Sequence, residues 1–289
     1  MSLKSKLRGV YLKVFFFFRT KILFKDKFGL SYYLYKNTRP NSTYNLKVRS
    51  DDTTVLFTVD KILSSSELTN NNSIHCIDVG AYIGVVTLMM SRALRKFNKE
   101  WKIHSFEPFS ESFKRLQENV YLNTFNRNVV LNNVAVSDKK GYSTLKIYHN
   151  TPGLNHLSMS QTQNSDNKSS EKKIKVITLR DYLKEEQIGH VSICKVDAEG
   201  SDYCVINGLY EYLEKKSIDF IIFEYQSDSY KKIKNILYKN GYEIFYMVRN
   251  ENIIVNSIKN YPKNSKSLMN LIAVSSEKKN DFLKNFKIG

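Results

Sequence analysis

From residue 73 onward, short apolar runs alternate with longer stretches whose apolar positions recur at helical spacing. In order, the pattern predicts a strand at 74–79, a helix at 85–97, a strand at 102–106, a helix at 110–123 and a third strand, "VVLNNVAV", at 129–136. An added strand is expected in "GYSTLKIYH", and a fourth core strand at 191–196. A fifth strand at 219–223, a helix at 229–240 and strands in "YEIFYMV" and "NLIAV" complete the series. Strand patterns that alternate with helical ones indicate a parallel sheet joined by crossover helices. Upstream, "STYNLKVRSDDTTVLFTVDKIL" alternates apolar with polar residues and predicts two short strands, followed by a polar connector at 64–73. Residues 150–172 are rich in Ser, Asn and Gln and interrupt the pattern before "KVITLRDYL" resumes it. A loop this long inside a domain is functional or disordered. No internal repeat is found.

The apolar content is that of a globular chain, and 289 residues suffice for one large domain with appendages. Charge changes the picture more than composition does. Of 45 Lys and Arg, twelve lie in the first fifty residues beside a single acid, Asp26, while the other 239 residues hold 33 basic and 27 acidic side chains. This divides the chain into a basic, aromatic arm at 1–50, a main domain at 51–275 with its insertion at about 150–172, and a tail at 276–289. In the arm, Leu7, Val10, Tyr11, Val14, Phe15, Phe18 and Ile22 fall at helical spacing, with Lys4, Arg8, Lys13 and Arg19 largely elsewhere. Three readings stay open for residues 1–27: a helix at an anionic membrane surface, a helix packed on the body or on a second subunit, and contact with nucleic acid. The uninterrupted apolar run from Val14 to Phe18 is far shorter than the roughly 20 residues a membrane span needs, and no signal-peptide cleavage pattern is evident. Cys76, Cys194 and Cys204 lack metal-type spacing and are read as reduced thiols, which places the chain in the cytoplasm, peripheral at a membrane if the arm meets lipid.

The candidate chemistry lies at strand ends. In "IDVGAYIG", Asp78 ends an apolar run and Gly80 and Gly84 follow before the next helix. Ligands of open α/β sheets bind outside the carboxyl ends of the strands, where strand order reverses. Acids are expected at each such end: Asp78, Glu107, Asp138, Asp197 and Glu224. A dinucleotide site wants G-x-G-x-x-G around an anionic pyrophosphate. Here the middle glycine is missing and a carboxylate stands beside the turn, which suits the ammonium and sulfonium of S-adenosylmethionine instead. Glu107 is placed for a ribose diol, and Ser137 and Asp138 for an adenine. The alternative is that both glycines serve close helix–strand packing alone.

With "IDVGAYIGVVTL", "HSFEPFSESFKRLQENVYLN", "NNVAVSDKKG", "ITLRDYL", "KVDAEGSDYCVINGL" and "FIIFEY" in this order, the sequence resembles the FkbM-type methyltransferases. The resemblance covers roughly residues 74–250. It implies a Rossmann-like, doubly wound, seven-stranded and mostly parallel sheet, the class I methyltransferase fold. It further implies S-adenosylmethionine as cofactor, with Asp78, Gly80, Tyr82 and Gly84 at its methionine end, Glu107 at the ribose, and Ser137 and Asp138 at the adenine. Tyr82 departs from the family, which often carries Asn there. Members act on hydroxyls of sugars, glycans or other small molecules, so such an acceptor is the expected partner.

Methyl transfer to an alcohol requires alignment and removal of the hydroxyl proton. Asp197 is the candidate substrate or cofactor contact, and Glu199 the base or hydroxyl orienter; alternatively, Glu199 only supports the helix that follows. Asp197, Glu199 and Glu224 offer oxygen ligands of the kind a divalent ion takes, but nothing in their spacing demands one, and no metal is expected. His156 lies in the insertion, which is expected to cover the acceptor pocket. Two other classes of function remain: a nucleic-acid methyltransferase that clamps phosphates with the basic arm, for which the N-P-P-Y type of motif is missing, and a non-catalytic fold relative that binds a partner.

Overall fold

The computed structural model describes residues 21–26, 28–35, 50–64, 73–148, 156–157, 169–248, 253–255 and 270–288. Within the first part, β1 (Lys21–Lys25) and β2 (Ser31–Tyr35) form an antiparallel hairpin, and α1 spans Ser50–Ser64. The main domain then runs through β3 (Ser73–Val79), α2 (Val85–Leu94), β4 (Glu100–Phe106), α3 (Ser110–Leu122), β5 (Val129–Asn132) and β6 (Ala135–Val136). It continues through β7 (Gly141–Tyr148), β8 (His156–Leu157), β9 (Ser169–Ile177), α4 (Leu179–Glu185), β10 (Val191–Val196), α5 (Asp202–Asn207) and α6 (Tyr210–Glu214). The chain closes with β11 (Ile218–Glu224), α7 (Ser227–Lys239), β12 (Tyr242–Met247), β13 (Ile253–Val255), β14 (Asn270–Ser275), α8 (Lys279–Asn285) and β15 (Lys287–Ile288).

Nine strands make the main sheet, in the order β15-β13-β12-β14-β11-β10-β3-β4-β5. From β11 through β10, β3 and β4 to β5 every pairing is parallel, and β14 runs antiparallel between β11 and β12. The expected seven strands are therefore present, and β13 and β15 widen the edge beyond them. Alternation along each strand divides the core. Cys76, Ile103, Ile193 and Ile222 join a layer with α1, α2, α3 and α8, while Ile77, Phe106, Cys194 and Ile221 join another with α4 to α7. Helices thus cover both faces, as a doubly wound sheet requires. Order reverses between β3 and β10, which places the switch point there.

Four expectations are corrected. Residues 50–64 form a helix, not strands, because Val55, Leu56, Val59, Ile62 and Leu63 recur at helical spacing and are all buried. The strand expected at 129–136 breaks after Asn132: β5 stays in the main sheet, whereas β6 pairs with β9 in a four-stranded sheet of order β6-β9-β7-β8. The break is held by Glu107 N–H donating to Asn132 O at 3.0 Å and Asn133 Nδ2 to Glu107 O at 2.8 Å. Consequently β5 ends in asparagines, and Asp138 follows β6 instead. The segment expected as a tail from residue 276 completes the core: Phe282 and Phe286 are buried, each worth about 2 kcal/mol of apolar burial, and β15 pairs with β13. Finally, Ile22 lies in a strand, so the arm's helical pattern does not extend to it.

The helical reading of residues 1–20 lies outside the described residues, as does most of the insertion. Of the insertion, β8 pairs His156 with Lys146, and β9 already begins at Ser169. Cys76, Cys194 and Cys204 are free thiols. Among the described residues, no helix is long and apolar enough to cross a membrane.

Candidate active site

The loops after β3 and β10 are stitched together at the switch point. Asp197 N–H donates to Val79 O at 3.1 Å, and Gly80 and Ala81 N–H both reach Phe106 O at 3.0 Å. A Cβ on Gly80, whose φ is +71°, would stand 1.8 Å from the Asp197 carbonyl oxygen. One on Gly84, at φ +92°, would stand 2.7 Å from Leu116 Cδ1 of α3. Close approach of the two loops therefore requires Gly80, whereas at Gly84 it is the left-handed φ that calls for glycine.

Asp78 is fully buried. Its Oδ2 accepts from Thr87 Oγ1 at 2.6 Å, and Thr87 also meets Ser105 Oγ at 2.9 Å. Its Oδ1 makes no hydrogen bond but faces the Lys195 ammonium at 3.5 Å. Lys195 lies 3.3 Å from Asp197 Oδ2 as well, and its Nζ reaches the carbonyls of Val79 and Gly80 at 3.4 and 3.2 Å. One buried cation thus ties the ends of β3 and β10. Burial raises the pKa of Asp78, with Lys195 and Thr87 acting against it. The sequence reading missed Lys195; the signal for it was a lysine inside "VSICKV", every other residue of which is apolar or small and buried.

Glu107 sits at the end of β4 with only an edge in solvent. Its Oε2 accepts from Tyr82 N–H and its Oε1 from Phe109 N–H, both at 2.9 Å. Burial pushes its pKa up to about 7, against the pull of those two amides. Tyr82, which donates one of them, has a left-handed backbone at φ 50°. Ser137 and Asp138 lie against the end of α5. Asn207 Nδ2 donates to Asp138 Oδ2 at 3.3 Å, and a Cβ on Gly208 would come within 2.9 Å of Ser137 O.

Beyond Lys195, carboxylates crowd the turn into α5. Asp197 keeps 44% of its side chain in solvent. Glu199 adopts a left-handed backbone at φ 45°, and burial, then Asp197 and Glu224, hold its pKa well above the carboxylate range. Asp202, also unanticipated, is fully buried, with Oδ1 accepting from Ala198 N–H at 2.7 Å and Oδ2 without a hydrogen bond. Burial pushes its pKa up to about 8, helped by Asp197 and Glu224. Among the described residues, no group of His, Cys, Asp and Glu has a metal-holding arrangement.

A doubly wound sheet whose switch point gathers a glycine turn, an acid at the next strand end and a carboxylate-rich turn is the arrangement of the class I methyltransferase fold. The chain belongs to the FkbM methyltransferases: the model of the methyltransferase FkbM domain matches residues 78–244, more than half of its length. Several solved structures are similar at low identity. Methyltransferase FkbM from Methylobacillus flagellatus KT is 12% identical with a TM-score of 0.47, over 74% of this chain and 47% of that one. The N-terminal domain of human METTL16 is 13% identical at 0.42, over 76% and 67%. TYW2 from M. jannaschii, in complex with AdoMet, is 12% identical at 0.40, over 89% and 85%. This chain spans about half the length of the M. flagellatus structure. No curated protein sequence matches it.

The residues present fit the cofactor of this family. Unpaired Asp202 Oδ2 and the half-exposed Asp197 carboxylate suit a cationic sulfonium and ammonium. Glu107 retains a lone pair on each oxygen for a diol. The first turn of α2 carries no side-chain cap, which leaves its amides for a carboxylate.

Proposed function

We propose that the protein is an S-adenosylmethionine-dependent O-methyltransferase acting on a hydroxyl of a sugar, glycan or other small molecule. The observation that carries this reading is Glu199, a half-buried carboxyl on the turn after β10 whose surroundings oppose its ionisation. A carboxylate with a raised pKa is a stronger base than a solvated one, which is what an alcohol proton demands. Bound S-adenosylmethionine supplies an electrophilic methyl and a positive charge. Glu199 holds its proton while the site lacks that charge and gives it up beside a cation, which readies it to accept the acceptor's hydroxyl proton. Lys195 keeps Asp197 and the β3 loop in place throughout, so the displacement is aligned by elements that need not move. Glu107 orients the nucleoside from the end of β4, and Ser137 and Asp138 border it from the second sheet.

Incubation of the enzyme with S-adenosylmethionine and a panel of hydroxylated sugars, read by mass spectrometry for methyl ethers, tests this. Glu199→Gln is expected to lower kcat by a factor of about 10²–10⁴, the usual worth of a general base, with cofactor affinity retained. Transfer only to nitrogen acceptors or to RNA would overturn the O-methylation reading.

A further inference from the structure

Outside the first fifty residues the chain has a surplus of six positive charges, from 33 basic and 27 acidic side chains. Residues 139–175 alone, with seven lysines and two acids, account for a surplus of five. Within this stretch β7 and β9 pair antiparallel as a hairpin. Its inner face is packed: Leu145, Ile174 and Val176 cluster with Phe109 and Ala135, and Lys172 donates to Ser110 Oγ at 2.8 Å. Residues directly opposed in an antiparallel pair share a face, so Tyr142 with Lys175 and Thr144 with Lys173 form the outer one. Exposed Lys139 and Lys140 extend it. Tyr142 is 71% exposed, with Lys173 Nζ 4.8 Å from its ring centre. Glu171 is the single acid in the two strands.

We propose that the outer face of the β7–β9 hairpin docks on an anionic lipid bilayer. Its cations are all lysines, compact charges suited to a diffuse surface potential, whereas the planar fork of arginine is what reads individual phosphates and base edges. One exposed tyrosine suits the headgroup layer; single-stranded nucleic acid wants a series of stacking aromatics. The β1–β2 hairpin repeats the composition, with Lys21 and Lys25 flanking Leu23, which is 61% exposed. Both hairpins are anchored to α3 or its C-terminal cap, one at Ser110, the other through Asn119 and the capping Asn123, whose Oδ1 atoms accept from Tyr33 and Ser31 N–H at 2.9 Å. The run from Val14 to Phe18, just upstream in sequence, adds apolar chemistry that a lipid surface accepts and a phosphate backbone does not use.

The test is co-sedimentation of the full chain with phosphatidylcholine vesicles, with or without phosphatidylglycerol. Fluorescent single-stranded RNA is titrated in the same buffer, and S-adenosylmethionine calorimetry serves as the folding control. Binding to anionic vesicles alone, weakened by salt, is expected. Lys173→Gln with Lys175→Gln is expected to lower the partition about thirtyfold, the worth of two lysines near such a surface, with cofactor affinity unchanged. A second variant, Lys140→Gln with Tyr142→Ser, must lower it too and decides the matter if the first loses cofactor binding. Equal binding to both vesicle types, a partition neither variant changes, or tighter binding to RNA lost in the same variants would overturn the proposal.

Discussion

The switch-point rim and the β7–β9 hairpin both concentrate charge, and they handle it in opposite ways. At the rim, Lys195 stands within 3.5 Å of two carboxylates, and one of them, Asp78, has no contact with water. Removing Lys195 would leave buried Asp78 without its cation in a medium that cannot solvate a charge. On the hairpin, lysines stand in water around an exposed tyrosine, and each is worth little to the fold. Charge in the interior therefore dictates geometry, while charge on the surface is free to serve a partner. The glycines differ in the same way. Gly80 faces a backbone oxygen at 1.8 Å, whereas the Cβ position of Gly141, at the start of β7, meets nothing within 4 Å.

The sharpest way to break the comparison is Gly80→Ala. The clash is with backbone and the left-handed φ adds strain, so a loss above about 4 kcal/mol is expected, the range of exceptional core defects. Gly141→Ala should cost about 1 kcal/mol, and equal urea midpoints for the two would contradict the packing account. Next comes Lys195→Met, which should cost about 3–5 kcal/mol by leaving Asp78 without its cation. Combining it with Asp78→Asn should recover most of that stability but not cofactor affinity, measured by calorimetry.

A smaller effect is the slope of stability against pH. Glu107 and Asp202 have folded-state values of about 7 and 8, above the ordinary 4.5 and 3.8. A carboxyl whose pKa is raised by folding binds its proton more tightly in the folded state. Stability of the cofactor-free protein should therefore fall as pH rises from about 4 to about 8. Asp202→Asn should flatten the thermal melting curve against pH, by about 2–4 °C for each kcal/mol removed; an unchanged slope would show that Asp202 does not titrate in this window. Least of all, Lys173→Gln with Lys175→Gln should leave folding stability within about 0.5 kcal/mol. A larger loss would mean that these lysines serve the fold rather than a partner.

Much of the main sheet was legible because its signals are local. Ile and Val runs mark β3, β10 and β11, glycines border the first two, and the acids at their ends are visible in a string of letters. The break after Asn132 was not legible, since "VVLNNVAV" has strand character throughout and only bonds to Glu107 end it. The helix at 50–64 was misread because its apolar positions fit both periods over a short window, and packing against α2 chose between them. For the site, Asp78, Glu107, Asp197 and Glu199 could be placed on one rim from order alone. The buried Asp202 could not, because an aspartate at a helix start is ordinarily solvated, and Lys195 was marked only by the apolar run around it.

By itself, then, the sequence determined the alternation of strand and helix, the family, and which carboxylates follow which strands, because periodicity and turn chemistry act over a few residues. Only the tertiary structure decided that Gly80 answers to the Asp197 carbonyl, that one lysine bridges two acids, and that residues 279–288 close the core. Those outcomes depend on which distant loops meet, and on how little water remains where they do.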